Sequence, residues 1–88
     1  MTLEVFDTIR KRDGFGEPKR ISFDPLSRSA LHTHDKVSFV YVLDGLFILN
    51  TAGPAQHYQP GETCVLDKNI EHAEEAGPDG AVVLVARK

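Results

Sequence analysis

Apolar residues in this chain fall in short runs that stop at Gly, Pro, Asp or Asn. The runs are "LEVFDTI", "KRISFD", "KVSFVYVL", "LFILNT", "AQHYQ", "TCVLD", "EHAEEA" and "AVVLVAR". The breaks between them fall near "GFGEP", "DP", "DG", "AGP", "PG", "DKN" and "GPDG". Enrichment in Val, Ile, Phe, Tyr and Thr at this spacing predicts an all-β sandwich or barrel. No run longer than about eight residues keeps a 3.6-residue period, so little helix is expected. Asp44-Gly45 lies between two apolar runs and reads as the turn of a β-hairpin. "EHAEEA" is rich in intrinsic helix formers, but it is short and runs into "GPDG", so it reads as a strand. "KRDGFGEPKR" reads as a solvated loop.

The period of two assigns faces. If His32 and His34 lead into the strand through Leu43, they share a face with Ser38, Val40 and Val42. Phe39, Tyr41 and Leu43 then lie on the opposite face. Both faces are apolar, so the strand is buried on both sides. A barrel interior covers one of them, and a second layer or a second subunit must cover the other. The chain has 88 residues. A domain of that size buries only roughly 60% of the surface its unfolded chain exposes. A homodimer with an isologous two-fold contact over Phe39, Tyr41 and Leu43 is therefore expected.

Composition narrows the class. Hydrophobic residues make up 41% and charged residues 26%, with five Pro and seven Gly, which is ordinary for a globular chain. Net charge is -3 and no basic stripe exists, which argues against a nucleic-acid partner. No run of apolar residues is long enough for a transmembrane helix, and the first residues lack the h-region of a signal peptide. Cys64 has no second cysteine to pair with. These features together predict a cytoplasmic protein with no membrane partner. The length fits one domain over 1–88, with a barrel core over about 21–87 and an N-terminal strand and loop over 1–20.

The candidate chemistry lies in "LHTHDKVSFVYVLDG" and "PGETCVLDKNIEH". Two histidines at i and i+2 on a strand point the same way and can chelate one metal ion. His72 adds a third imidazole from a strand that a small barrel can place alongside.

These residues resemble the cupin family. Its first motif reads Gly-x5-His-x-His-x(3,4)-Glu-x6-Gly, and this chain gives His32, His34, Ser38 and Gly45 at that spacing. Its second reads Gly-x5-Pro-x-Gly-x2-His-x3-Asn, and this chain gives Gly61, Asp67-Lys68-Asn69, His72 and Ala76. The resemblance covers roughly Ile21 to Arg87. It implies a small antiparallel β-barrel, the jelly-roll-like double-stranded β-helix, with a ligand cluster inside. By the same resemblance His32, His34 and His72 are metal ligands for a divalent transition metal (Fe, Mn, Ni or Zn), and Ser38, Val40 and Val42 line a substrate pocket.

The chain departs from the pattern in four places. Leu26 stands where the first motif begins with Gly, Ser38 replaces the glutamate ligand, and Ala76 replaces the closing Asn. Asp67-Lys68-Asn69 replaces Pro-x-Gly, and Asn69 can stand in for the glycine because Asn tolerates positive φ. Glu74 bears on the missing carboxylate. On a strand it shares the inward face of His72, with Glu71, Ala73 and Glu75 outward. There it could ligate the metal, hold a bound water or act as a catalytic general base; a bulge would instead send it to solvent. His57 is expected at the surface, and Cys64 is read as a small buried hydrophobe.

Two functional classes follow. One is a small metal-dependent enzyme, an oxygenase, isomerase or decarboxylase, acting on an oxygen-rich or dicarbonyl small molecule. The other is a non-enzymatic cupin that binds a small ligand, with or without metal, as a sensor or accessory protein.

Overall fold

A computed structural model describes all residues from Met1 to Lys88. Helix α1 (Leu3–Arg12) is followed by strands β1 (Lys19–Phe23), β2 (Ser38–Asn50), β3 (Gln56–Tyr58), β4 (Thr63–Leu66) and β5 (Ala73–Arg87). All pairings are antiparallel, in the order β1-β5-β2-β3, and β4 pairs with the first half of β2. The all-β barrel expected from the sequence is present, with two differences at its breaks and one at its N-terminus.

The first difference is that Asp44-Gly45 does not turn the chain. β2 runs through it for 13 residues and stays paired with β5 on both sides. Likewise "GPDG" bends β5 without ending it. Phe47 pairs with Ala76 and Gly45 with Ala81, so residues 77–80 stand opposite Leu46 alone. Gly45 has φ 76, and a Cβ there would sit 2.1 Å from the Gly80 carbonyl oxygen. Two backbones that close require a residue without a side chain. The hairpin expected at Asp44-Gly45 and the strand end expected at "GPDG" are therefore both corrected. What these residues make is a bulged corner that re-aims both strands.

The corner changes which residues face inward. On β2 the inward set is Ser38, Val40 and Val42 before the corner, and Phe47 and Leu49 after it. On β5 it is Glu74 and Ala76 before, and Ala81, Val83, Val85 and Arg87 after. Even numbers give way to odd on both strands. The apolar members of this set, with Leu66 and the partly buried Ile21 and Phe23, form the core inside the barrel.

"LEVFDTI" forms a helix, which corrects the expected N-terminal strand. Thr2 Oγ1 accepts from the Val5 N–H, Glu4 lies in the first turn, and Arg10, Lys11 and Arg12 lie in the last. Each complements the exposed groups and the dipole at its end of the helix. Phe6 and Arg10, four apart, are buried. Phe6 packs on Phe39 and Tyr41 with ring centroids 4.6 and 5.3 Å apart. Phe15 joins from the segment read as a solvated loop, 5.4 Å from Phe39, and that segment's first residues lie within α1. The outer face of β2 is thus covered by the chain itself. Of Phe39, Tyr41 and Leu43, the surface from which a two-fold contact is argued, Phe39 and Tyr41 are only 4% and 8% exposed and Leu43 is half-buried.

Candidate metal centre

His32 and His34 lie in the segment just before β2, and His72 just before β5. The two approaches are tied together by a pair of backbone hydrogen bonds between His32 and His72, 2.9 and 3.0 Å long. The Asn69 N–H donates to the His34 carbonyl at 2.7 Å, from a left-handed residue with φ 63. Asn69 therefore takes the conformation expected of it as a glycine substitute. Leu26, at the other vacated glycine position, also has positive φ, 58.

The three imidazoles face one another with centroids 4.3 to 5.1 Å apart. Glu74 lies on the inward side of β5, not at a bulge toward solvent. Its Oε1 is 3.2 Å from His32 Nε2, 3.1 Å from His72 Nε2 and 3.9 Å from His34 Nε2. The ligand atoms of all four residues lie within 4.8 Å of one another. Glu74 is held by its own backbone N–H, which donates to Ser29 Oγ. Glu75 turns away and pairs with Arg28. Ala73, expected outward, is fully buried.

The donor set fits a cation. His32 Nδ1 and His72 Nδ1 each lie 2.8 Å from a backbone carbonyl, of Ala30 and Ile70. A carbonyl only accepts, so both Nδ1 atoms carry hydrogen. In the neutral ring Nε2 then presents a lone pair. Two lone pairs and a carboxylate oxygen therefore converge with no hydrogen among them, and a proton or a metal ion has to lie between. Carbonyl-anchored imidazoles are also the usual support of a metal-bound histidine. Burial lowers the His34 pKa, reinforced by Arg87 and by the two neighbouring imidazoles, while Glu74 opposes the shift. That favours the neutral, ligating form.

Behind the cluster a small cavity of about 30 Å³ reaches into the barrel, lined by His34, Ser38, Val40, Cys64 and Glu74 among others. Ser38 and Val40 line this cavity. Val42 does not reach the cavity: it is fully buried in the core beyond. His57 is exposed, as expected. Cys64 is half-buried with its thiol pushed up to about 12 by burial.

Arg87 also lines the cavity and was not singled out from the sequence. Its Nε donates to Ser38 Oγ at 3.2 Å, across the Ser38–Arg87 pair of the β2–β5 ladder. Only that register brings it to the site, so no local motif could have announced it.

An antiparallel barrel with three histidines and a carboxylate gathered where β2 and β5 begin defines a class of small β-barrels with a candidate metal centre. Solved structures share the fold. The chain superposes on an RmlC-like cupin from Shewanella frigidimarina with TM-score 0.68 at 22% identity, covering 81% of this chain and 65% of the other. It superposes on the DMSP lyase DddQ from Ruegeria pomeroyi with TM-score 0.72 at 17% identity, over 78% and 36%. A cupin-2 domain protein from Shewanella frigidimarina matches over 97% of both chains, with TM-score 0.68 at 16% identity. The chain thus spans just under two thirds of the first structure and about a third of the second. No family model matches the sequence, and no curated protein does. The fold is that of a small cupin. No helix is long and apolar enough to cross a membrane.

Proposed function

We propose that this chain is a metal-dependent cupin in which His32, His34, His72 and Glu74 hold one divalent transition metal that takes a small oxygen-rich or dicarbonyl molecule. The observation that carries the reading is the convergence of three Nε2 atoms on Glu74 Oε1, with two of the three rings anchored through Nδ1. Ser38 leaves the glutamate position of the first motif empty of charge, and Glu74 returns a carboxylate to the cluster from β5. A metal bound there supplies a Lewis acid that polarises a carbonyl or carboxylate oxygen. The chain's own residues fix the imidazole orientation and screen the site from bulk water with the apolar barrel wall. The lyase among the structural neighbours supports an enzyme reading, since a barrel of this shape carries chemistry there.

Metal analysis of freshly purified protein tests the site. His34→Ala is expected to lower metal content. Glu74→Gln, which keeps shape and removes charge, is expected to weaken metal binding tenfold or more, about 1.4 kcal/mol. Equal metal content in the wild type and His34→Ala would overturn the assignment.

A further inference from the structure

Arg87 is a guanidinium without a counter-ion at the mouth of the barrel. Arg10, Arg12 and Arg28 each pair with a carboxylate, and Arg20, with no such partner, is exposed on β1. Arg87 is half-buried, and its one side-chain hydrogen bond goes to a neutral hydroxyl, Ser38 Oγ. A guanidinium has five N–H donors, so four are left for something else. An ion held partly out of water without an opposite charge costs folding free energy, and nothing in the fold offsets that cost.

The surroundings keep the charge positive. Arg87 is shared between the cavity behind the histidines and an open cleft of about 360 Å³ outside it, as are His34 and Val85. The cleft is otherwise lined by Lys19, Lys36, Glu17 and Asp35, so three cations face two carboxylates. Glu17 is already engaged with Arg10. From the barrel side the facing groups are His34 and Glu74, and Glu74 is spent on the imidazoles.

We propose that Arg87 is the recognition site for a small carboxylate, held at the cleft by the guanidinium fork while its second oxygen-bearing group faces the histidine cluster. The planar fork matches a carboxylate in two parallel hydrogen bonds. Ser38 fixes the fork by taking Nε and leaves both Nη groups free. A glutamate at position 38, directly opposite Arg87 in the ladder, would neutralise it. Ser38, at the position where the resembled motif has a glutamate, therefore leaves the cation free. The inner cavity admits little more than a water or two, so only a short acid would reach from this anchor to the histidine cluster. This inference rests on the metal reading above for the ligand's second contact, but its anchor does not depend on it.

Calorimetric titration of the zinc-loaded protein with malonate tests it, with zinc content and far-UV circular dichroism recorded for each variant. Arg87→Gln is expected to weaken malonate binding tenfold or more with zinc content unchanged, and Arg87→Lys to fall between. Ser38→Glu is expected to lose malonate binding as fully while retaining zinc. Equal malonate affinity in the wild type and Arg87→Gln, wild-type affinity in Ser38→Glu, or no malonate binding by the wild type would each overturn the proposal. Malonate binding that depends on Arg87 in a chain that takes up no zinc would uphold it and remove the metal reading. Zinc uptake with malonate binding indifferent to Arg87 would do the reverse.

Discussion

At the level of single residues, the candidate site sets one carboxylate and one guanidinium on the same cavity. Ser38 is uncharged, Glu74 supplies the carboxylate, and Arg87 faces the same cavity. Glu74 could be placed from the sequence because strand parity links it to His72. Leu26 shows the cost of another departure. It holds φ 58 with its side chain 75% exposed, and its N–H donates to the Gly77 carbonyl. The left-handed region costs a branched residue about 1–2 kcal/mol, while a glycine gives back about 0.5–1 kcal/mol in unfolded-state entropy. Leu26→Gly is accordingly expected to stabilise the protein by about 0.5–1 kcal/mol, read as a higher urea midpoint with an unchanged slope. Cys64 supplies a pH signature. Its unfolded thiol ionises near 9.0 and the folded one at about 12. Below 9 both states are protonated and the residue is neutral to stability. As pH rises from 9 toward 12 the unfolded chain gains a thiolate that the folded chain resists, so stability falls. Cys64→Ala is expected to flatten that alkaline loss in urea titrations. Iodoacetamide at about pH 8 should label Cys64 only once the protein is unfolded.

At the level of elements, the sequence showed the strands and hid the helix. β1, β3 and β4 fall where alternating apolar runs sit between Gly and Pro, and the two histidine approaches fall at the motif spacing. α1 was missed because "LEVF" holds β-formers whose preference is weak beside capping and docking. Thr2 before the run and the basic cluster before Gly14 were the signals available. β2 and β5 were each read as two strands because Asp-Gly and Gly-Pro-Asp-Gly are the usual marks of a reversal. Only the partner strand, bent at the same height, reveals a corner instead. Arg87 was hidden for a related reason: its contact partner is 49 residues away. The helix is held chiefly by Phe6, which is fully buried. Phe6→Ala is expected to cost about 3–5 kcal/mol, measured by urea denaturation. Phe6→Asp should detach α1 and uncover Phe15, Phe39 and Tyr41, seen as new binding of a hydrophobic dye at retained β signal.

At the level of the whole molecule, one strand pair organises the fold and brings Ser38, Glu74 and Arg87 to the candidate site. The β2–β5 ladder runs from Ser38–Arg87 at one end to Asn50–Ala73 at the other. α1 covers one side of its first half, and the barrel core fills the other. Glu74 and Arg87 are 13 positions apart on β5, an odd interval that in an uninterrupted strand would put them on opposite faces. They face the same cavity because the chain changes parity at the Gly45–Gly80 corner. The corner therefore works as an indexing notch. Two residues with no side chains to contribute decide that the carboxylate and the guanidinium meet across one opening. A strand slipped by a single step would reverse both together. Assembly of the site is thus tied to correct threading of the barrel: a misaligned chain could keep its sheet and still lack a usable centre, with no partly competent form between.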